Sequence, residues 1–244
     1  MKTVTQIAAL TTALLLGSAT LAGPATTARA GDMPEITWSV SPANDDRGAP
    51  TIEFRHDTSN TSFSLDNEAD LNEIRAALGS QGSVAFTLDR EPGILTCLGS
   101  NEDAYDGRGS CTFAADKAFE AELRARNLAP DGDGELLAMT LLGANRALID
   151  GLTREGVAPE SSDDVIAAAA LEVTPEYVAS LKVAGLTLDK LDDAIACRAL
   201  EVDADYVRAL ADAGYHPKAD DVVAMKAVGV TPEYARRMNA AAQN

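Results

Sequence analysis

Side chains able to act as nucleophiles or general bases are few in this sequence, and their spacing matches no familiar catalytic pattern. The two histidines, His56 and His216, lie in different halves of the 244 residues, and neither belongs to an H-E-x-x-H sequence. No G-x-S-x-G, P-loop or G-x-G-x-x-G sequence follows a strand-like segment. His56 stands beside Asp57 and just before three serines, and we interpret it as an exposed histidine at a strand end. The sequence therefore predicts no catalytic residue.

Carboxylates are plentiful, and two of them in one pocket could hydrolyse a substrate by acid–base chemistry. Such a pair needs a concave site that separates the pKa values of its two members. Asp89, Glu91 and Asp103 are the candidates for it. A secreted hydrolase is therefore an alternative function, and it requires these carboxylates to share a pocket rather than to be scattered over the surface.

A calcium loop is suggested by Asp131-Gly132-Asp133-Gly134-Glu135, which resembles the opening of an EF-hand. That loop needs glycine at its sixth position and glutamate at its twelfth, where this sequence has Leu136 and Leu142. The remaining acidic turns lack a ligand frame; they contain Asp66, Asp70, Asn101, Asp103 and Asp106. We expect these carboxylates to be solvated, and we expect no metal site and no cofactor.

Three cysteines are present, and two of them flank an expected loop rich in Gly, Asp and Asn between two strand-like runs. We expect Cys97 and Cys111 to form a disulfide, which in the chain-entropy model would stabilise the fold by about 3 kcal/mol. A zinc site would need two more ligands at suitable spacing, and none is nearby. Cys197 lies in a helical pattern, and we expect it to be a buried thiol.

The N-terminal segment at residues 1–30 predicts export. Lys2 precedes an apolar run at residues 7–16, and Ala28-Arg29-Ala30 matches the A-x-A cleavage pattern of a signal peptide. The run is shorter than the roughly 20 residues that a transmembrane helix needs, and no later segment approaches that length. We therefore expect a periplasmic or secreted protein without stable membrane insertion after signal cleavage.

The charge of the chain excludes some partners. The formal net charge is −18, and loss of Lys2 and Arg29 with the signal peptide would leave 18 basic residues against 38 acidic ones. Nucleic acid and anionic lipid are bound through Lys and Arg that neutralise phosphates. We therefore expect no nucleic-acid partner.

The periodicity of the apolar residues divides the remaining chain in two. Residues 31–128 alternate with period two at 36–40, 52–54, 63–65, 84–88, 94–98 and 111–113, with helical patterns at 70–78 and 116–128. This half predicts a small antiparallel α+β domain. Residues 129–134 form an expected linker, and residues 135–244 become Ala-rich, helical and repetitive. The fold class is α+β, followed by an all-α array of two-helix repeats.

Four copies of the repeat can be aligned, with the first degenerate and the last truncated. The tyrosines Tyr177, Tyr206 and Tyr234 recur at a nearly constant spacing along the chain. Each predicted second helix begins with a capping residue, and prolines follow two of these caps; the residues concerned are Thr174, Asp203, Thr231, Pro175 and Pro232. Acidic pairs open the first helices, and Gly185 and Gly214 end the second ones. The tyrosines could stack on a ligand, but we expect them to pack between copies.

Two features of the sequence resemble a known family. The glycine-rich hairpin at residues 93–113 and the Val-Thr-Pro-Glu-Tyr repeats, at 173–177 and 230–234, are similar to the exported tail of bacterial M56 peptidase/BlaR1-type sensor proteins and related stand-alone envelope proteins. The membrane-embedded peptidase domain of that group, with its zinc-binding H-E-x-x-H, is not represented. The resemblance implies an accessory or sensory role in the periplasm and no protease activity.

These observations favour a non-enzymatic binding or sensing protein. Stacked helical hairpins bury a continuous core and present extended surfaces to partners. We expect the array to bind a protein of the bacterial envelope, whose identity the sequence does not reveal. A secreted hydrolase and a small-ligand-binding protein are the alternatives.

Overall fold

A computed structural model describes residues 35–42, 48–65, 71–216 and 218–242. The expected signal peptide at residues 1–30 lies outside the described residues. The strands are β1 (Ile36–Ser41), β2 (Thr51–His56), β3 (Ser59–Ser64), β4 (Gly82–Arg90), β5 (Gly93–Asp103) and β6 (Asp106–Ala115). The helices are α1 (Asn72–Leu78), α2 (Lys117–Ala125), α3 (Asp133–Leu142), α4 (Arg146–Arg154), α5 (Ser162–Ala170), α6 (Pro175–Val183), α7 (Leu191–Ala199), α8 (Ala204–Asp212), α9 (Ala219–Ala227) and α10 (Pro232–Ala242).

The six strands form one antiparallel sheet in the order β3-β2-β1-β6-β5-β4. Hairpins join most of the neighbouring strands. The pairing of β1 with β6, which is distant in sequence, joins the two halves of the sheet. One face carries the buried side chains of each strand, and α1 and α3 cover it. The antiparallel α+β architecture expected from period-two alternation is confirmed.

The hairpin of β5 and β6 is longer than the sequence predicts. The segment between the two cysteines was expected to be a loop, but the strands continue through it to Asp103 and Asp106. Its glycines make this possible, because Trp38 of β1 lies directly over Gly99 and Gly109. A Cβ at Gly99 would be 2.6 Å from the Trp38 ring, and one at Gly109 would be 2.5 Å from its Nε1. The glycines therefore serve close packing rather than loop formation.

The helical array consists of four hairpins, α3–α4, α5–α6, α7–α8 and α9–α10. The first helices of the hairpins begin at residues 133, 162, 191 and 219, and the second helices at 146, 175, 204 and 232. Among the first helices and among the second helices, successive members begin a nearly constant number of residues apart, as the tyrosine spacing predicts. First helices pack against first helices and second against second, so the array has two layers. Within the described ranges, no helix is long and apolar enough to cross a membrane.

Helix α3 belongs to both parts of the molecule. Its Leu137 and Leu141 lie in the core beneath the sheet, whereas Leu136 and Met139 pack with Phe119 of α2 and with the next hairpin. The described residues form one compact unit. The expected division of the chain at residues 129–134 stays a prediction.

Candidate functional site

The second helix of each later copy starts with the capping contact that its sequence predicts. The side chains of Thr174, Asp203 and Thr231 accept hydrogen bonds from the N–H three residues on, at 3.1, 2.7 and 3.2 Å. Pro175 stands in the first turn of α6, where the missing N–H costs nothing, and Pro232 begins α10. These residues fix where each hairpin turns, so their role is structural.

Two of the repeated tyrosines, Tyr177 and Tyr206, join their copy to the next one. The Tyr177 hydroxyl donates a 2.7 Å hydrogen bond to the carbonyl of Val202, and Tyr206 donates an equal bond to the carbonyl of Val230. Both acceptors precede the second helix of the following copy. The hydroxyls therefore satisfy backbone groups that would otherwise be partly buried without a partner.

A cation covers each of these two rings. The Arg198 guanidinium lies 5.2 Å from the centre of the Tyr177 ring, and the Lys226 ammonium lies 4.6 Å from that of Tyr206. Burial raises the pKa of both hydroxyls, so they remain donors well above neutral pH. These contacts support the packing interpretation and leave neither ring free for stacking on a ligand.

Some acidic residues at the start of the first helices accept hydrogen bonds from the backbone, and others are exposed. Asp164 forms a capping box with Ser161, and Asp193 accepts hydrogen bonds from the backbone N–H groups of residues 189 and 190. Asp163 and Asp192 are exposed, and Asp192 pairs with the Lys190 ammonium at 2.9 Å. The array thus carries exposed negative charge at one end of successive first helices.

One face of the first helices is covered in α3 and open in the later copies. In α3 this face carries Leu137 and Leu141, which pack beneath the sheet. Positions equivalent to Leu141 and to Ala138 hold only alanines, which are half-buried or exposed; we call this set the open face, and it comprises Ala167, Ala170, Ala196, Ala199, Ala224 and Ala227. The positions equivalent to Leu137 are partly buried against the array; they are Ile166, Ile195 and Val223. Among the described residues, no sheet covers the open face of α5, α7 and α9.

The cysteines are arranged as expected. Cys97 and Cys111 are directly opposite each other on β5 and β6 and form a disulfide with an S–S distance of 1.99 Å. Cys197 is fully buried in the array, and burial raises the pKa of its thiol to about 11. The thiolate, which is the reactive form, is therefore disfavoured at this position.

Of the three carboxylates considered for hydrolysis, Asp89 and Glu91 line one groove and Asp103 lies elsewhere. Asp89 and Glu91 stand at one end of the β4–β5 hairpin, where Asp89 pairs with Ile94, and Asp103 stands at the opposite end of β5. These two ends are separated by the length of β5, which is on the order of 30 Å. Glu91 accepts a 2.8 Å hydrogen bond from the N–H of Arg146 and pairs with its guanidinium at 3.2 Å. Asp103 therefore cannot share a site with the other two.

A groove of about 740 Å³ lies between the β4–β5 turn, the start of α2 and the start of α4. Glu91 and Arg146 stand on its wall, together with Asp116, which caps α2 through a 2.7 Å bond from the N–H of Phe119. Hydrogen bonds from Arg146 lower the pKa of nearby Glu122. Glu91, Arg146 and Asp116 thus already have partners within the protein.

His56 is less exposed than the sequence predicts. It is half-buried at the end of β2, and its ring lies beside the start of α3, 3.7 Å from where a Cβ on Gly134 would be. Its Nε2 is buried and has no hydrogen-bond partner among the described residues. The second histidine, His216, is exposed in the loop after α8.

The acidic residues considered for calcium have other partners. Asp133 pairs with Lys117 at 3.2 Å, and Glu135 accepts a 3.1 Å bond from the N–H of Asp131. Asn101 is buried and donates to two backbone carbonyls. Asp66 and Asp70 lie outside the described residues. Among the side chains that the structure describes, no group of three or more His, Cys, Asp or Glu is placed to hold a metal ion.

Comparisons of the chain with protein-family models, with curated proteins and with solved structures found no match. The resemblance to the tails of BlaR1-type sensors therefore stays a prediction from the sequence.

Proposed function

We propose that this chain is an exported, non-enzymatic binding protein of the bacterial envelope and that its helical array binds a protein partner through the open face. The proposal rests on one side of the first helices, which has a different environment in the first copy and in the later copies. In α3 this side docks onto a sheet of the same chain, and in α5, α7 and α9 no sheet among the described residues covers the open face.

The chemistry of the open face suits docking of another protein. Alanine side chains allow a partner's backbone or helix to approach closely, because interaxial distances depend on the side chains at the contact. The tyrosine bonds and caps described above hold neighbouring first helices in register. A partner would therefore meet a preformed surface and lose little free energy in ordering it.

Two further observations agree with export and with a non-enzymatic role. The Cys97–Cys111 disulfide suits an oxidising compartment such as the periplasm. The candidate carboxylates are divided between opposite ends of a hairpin or paired with arginine. Of the candidate carboxylates, only Asp89 and Glu91 share a groove, and Glu91 is engaged by Arg146.

Affinity capture from crosslinked envelope extract tests the proposal. The purified protein should enrich at least one envelope protein reproducibly. The variant Ala170→Arg/Ala199→Arg places two long charged side chains on exposed positions of the open face and should reduce that enrichment roughly tenfold.

A matched control carries the same charge on the other layer. Ala147→Arg/Val183→Arg changes two exposed positions of α4 and α6 and should capture as the wild type does. Circular dichroism of both variants verifies that the helices persist. Equal loss in both variants, or no reproducible enrichment by the wild type, would contradict the proposal.

Small-ligand binding in the groove between the sheet and α4 is a second candidate. The volume of about 740 Å³ falls within the range of small-molecule sites, and the groove lies where the two parts of the chain meet. A library of polar metabolites screened by thermal shift tests it. A ligand whose stabilisation is lost in Arg146→Gln but not in Arg208→Gln would support this site.

A further inference from the structure

The contact between the first two hairpins of the array lacks the tyrosine that joins the later ones. Tyr177 and Tyr206 are the third residues of α6 and α8, and each hydroxyl donates to a valine carbonyl in the following hairpin. The third residue of α4 is Leu148, and the equivalent valine is Val173. Among the described residues, none donates a hydrogen bond to the Val173 carbonyl. The first contact is therefore built without the bond that holds the next two.

The cation that covers each tyrosine ring is missing from the same contact. Arg198 and Lys226, which lie over the rings of Tyr177 and Tyr206, are the eighth residues of α7 and α9. The eighth residue of α5 is Ala169. The contact between the first two hairpins therefore has neither the phenol ring nor the positive charge above it.

A groove of about 420 Å³ lies at this contact. It is lined by Leu148 and Val173, which stand where a tyrosine and its acceptor stand in the next two contacts, and by Ala168 and Ala169 at the end of α5. Leucine is shorter than tyrosine, and alanine is shorter than arginine or lysine. The space that a ring and a cation fill in the later contacts therefore stays open in the first one, and its volume is in the range of small-molecule sites.

The surroundings of the groove suit a single aromatic ring that carries a hydroxyl group. Ala168 and Val173 are fully buried, so the ring would meet apolar side chains. The Val173 carbonyl offers the same kind of acceptor that the two tyrosine hydroxyls use. Beside the groove, α4 and α6 are in close contact, because a Cβ on Gly151 would lie 2.2 Å from Cγ of Pro175. This contact fixes the distance between the two helices, so a ligand would enter a preformed site.

We propose that the groove between the first two hairpins binds the ring of a small phenol, whose hydroxyl donates to the Val173 carbonyl. The chemistry of the ligand follows from the array itself, because a phenol ring with the same hydrogen bond occupies the equivalent place in the next two contacts. This site goes beyond the proposed function, since no residue of the open face lines the groove.

Tyramine and phenethylamine are a matched pair of probes, because they differ only in the phenol hydroxyl. Their ammonium group suits a wall whose charged residues are Arg154, Glu172 and Glu176. Each probe is titrated into the ¹⁵N-labelled full chain, and the amide shifts are followed by NMR. We expect tyramine to bind with a Kd on the order of 1 mM and to shift amides of residues 142–148 and 168–176. Phenethylamine should bind about fivefold more weakly, because it lacks one hydrogen bond.

A variant that supplies the ring from the chain tests the location of the site. Leu148→Tyr places a phenol where the later hairpins have one and should weaken tyramine binding at least about tenfold. Val183→Tyr adds the same side chain at a position of α6 that is 84% exposed and should bind tyramine as the wild type does. Circular dichroism verifies that both variants keep their helices, and the wild-type titrations test the proposal without any variant.

Four results would overturn the proposal. They are the absence of saturable shifts with tyramine, equal affinity for the two probes, and unchanged binding by a folded Leu148→Tyr variant. The fourth is a set of shifts centred on Ile94 and Asp116, which would assign the ligand to the groove beside α2. Capture of an envelope protein is a separate measurement, and Leu148→Tyr should still capture the partner. A chain that binds tyramine and captures nothing would contradict only the proposed function.

Discussion

The sheet and the helical array hold themselves together by different kinds of contact. In the sheet, β1 pairs with β6, so Trp38 meets Gly109, which is far away along the chain. In the array, the second and third hairpins each bond to the one that follows, through a recurring tyrosine. The sheet depends on a few long-range contacts that occur once, and the array on short-range contacts that recur.

This difference predicts how far the destabilising effect of a substitution extends through the structure. A change in the sheet should disturb a core that has no second copy of the lost contact. A substitution in the array should destabilise mainly two neighbouring hairpins. The single tryptophan, Trp38, lies in the sheet and reports its unfolding by fluorescence, while most of the helical circular dichroism comes from the array. Two probes can therefore follow the two parts.

The largest expected effect comes from Gly109→Ala. A Cβ at this position would lie 2.0 Å from the Leu98 carbonyl oxygen and 2.5 Å from Trp38 Nε1, so β5 or the indole must move. We expect a loss of about 4 kcal/mol in the free energy of unfolding, measured by urea denaturation with Trp38 fluorescence. Gly132→Ala, which meets nothing within 4 Å, should cost less than about 1 kcal/mol. Equal losses would contradict the packing role of Gly109.

Removal of the disulfide should have the next largest effect. Cys97→Ala/Cys111→Ala opens the loop between two cysteines whose sequence separation is 14, and should cost about 3 kcal/mol in the chain-entropy model. The Trp38 transition should shift to lower urea, and the helical signal of the array should shift less. Dithiothreitol should lower the stability of the wild type and leave the double variant unchanged. Identical shifts of both probes would show that the two parts unfold as one.

Much of this fold follows from the sequence, because its periodicities are local. The strand positions and the register of α5 to α10 are set by alternation, caps and the regular spacing of the repeats. The length of the β5–β6 hairpin does not follow, since glycines at 99 and 109 are typical of loops unless Trp38, distant in sequence, packs over them. Long-range packing is therefore the missing information.

The first repeat copy illustrates the same limit. Its degeneracy is visible in the sequence, but the reason is not. The structure shows that Leu137 and Leu141 stand where α7 has Ile195 and Ala199, because α3 also covers the sheet. For the same reason, neither the separation of Asp103 from Glu91 nor the open face can be deduced from residue types alone, since both depend on which elements meet.

A smaller effect should appear at alkaline pH in the array. Burial raises the pKa of the Cys197 thiol from 9.0 to about 11, so the folded state favours the protonated form. The stability that the protonated thiol contributes to the folded state is fully present below pH 9. It is lost as the pH rises to 11, because the thiol of the unfolded chain releases its proton at lower pH than the buried thiol does. Wild type should lose about 1.4 kcal/mol more than Cys197→Ala between pH 8 and pH 10 in urea denaturation followed by circular dichroism. Parallel losses in both proteins would contradict burial of the thiol.

The smallest expected effect separates a tyrosine that joins two copies from one that does not. Tyr206→Phe removes the hydrogen bond to the Val230 carbonyl and should cost about 1 kcal/mol, measured by thermal or urea unfolding of the helical signal. Tyr234→Phe removes a hydroxyl without an acceptor among the described residues and should change stability by a few tenths of a kcal/mol at most. Both rings remain, so packing is matched, and the difference between the variants measures the bond between copies. If the two variants were equally stable, the recurring hydroxyl would contribute nothing to the array, and its stability would then rest on apolar packing and the cations over the rings.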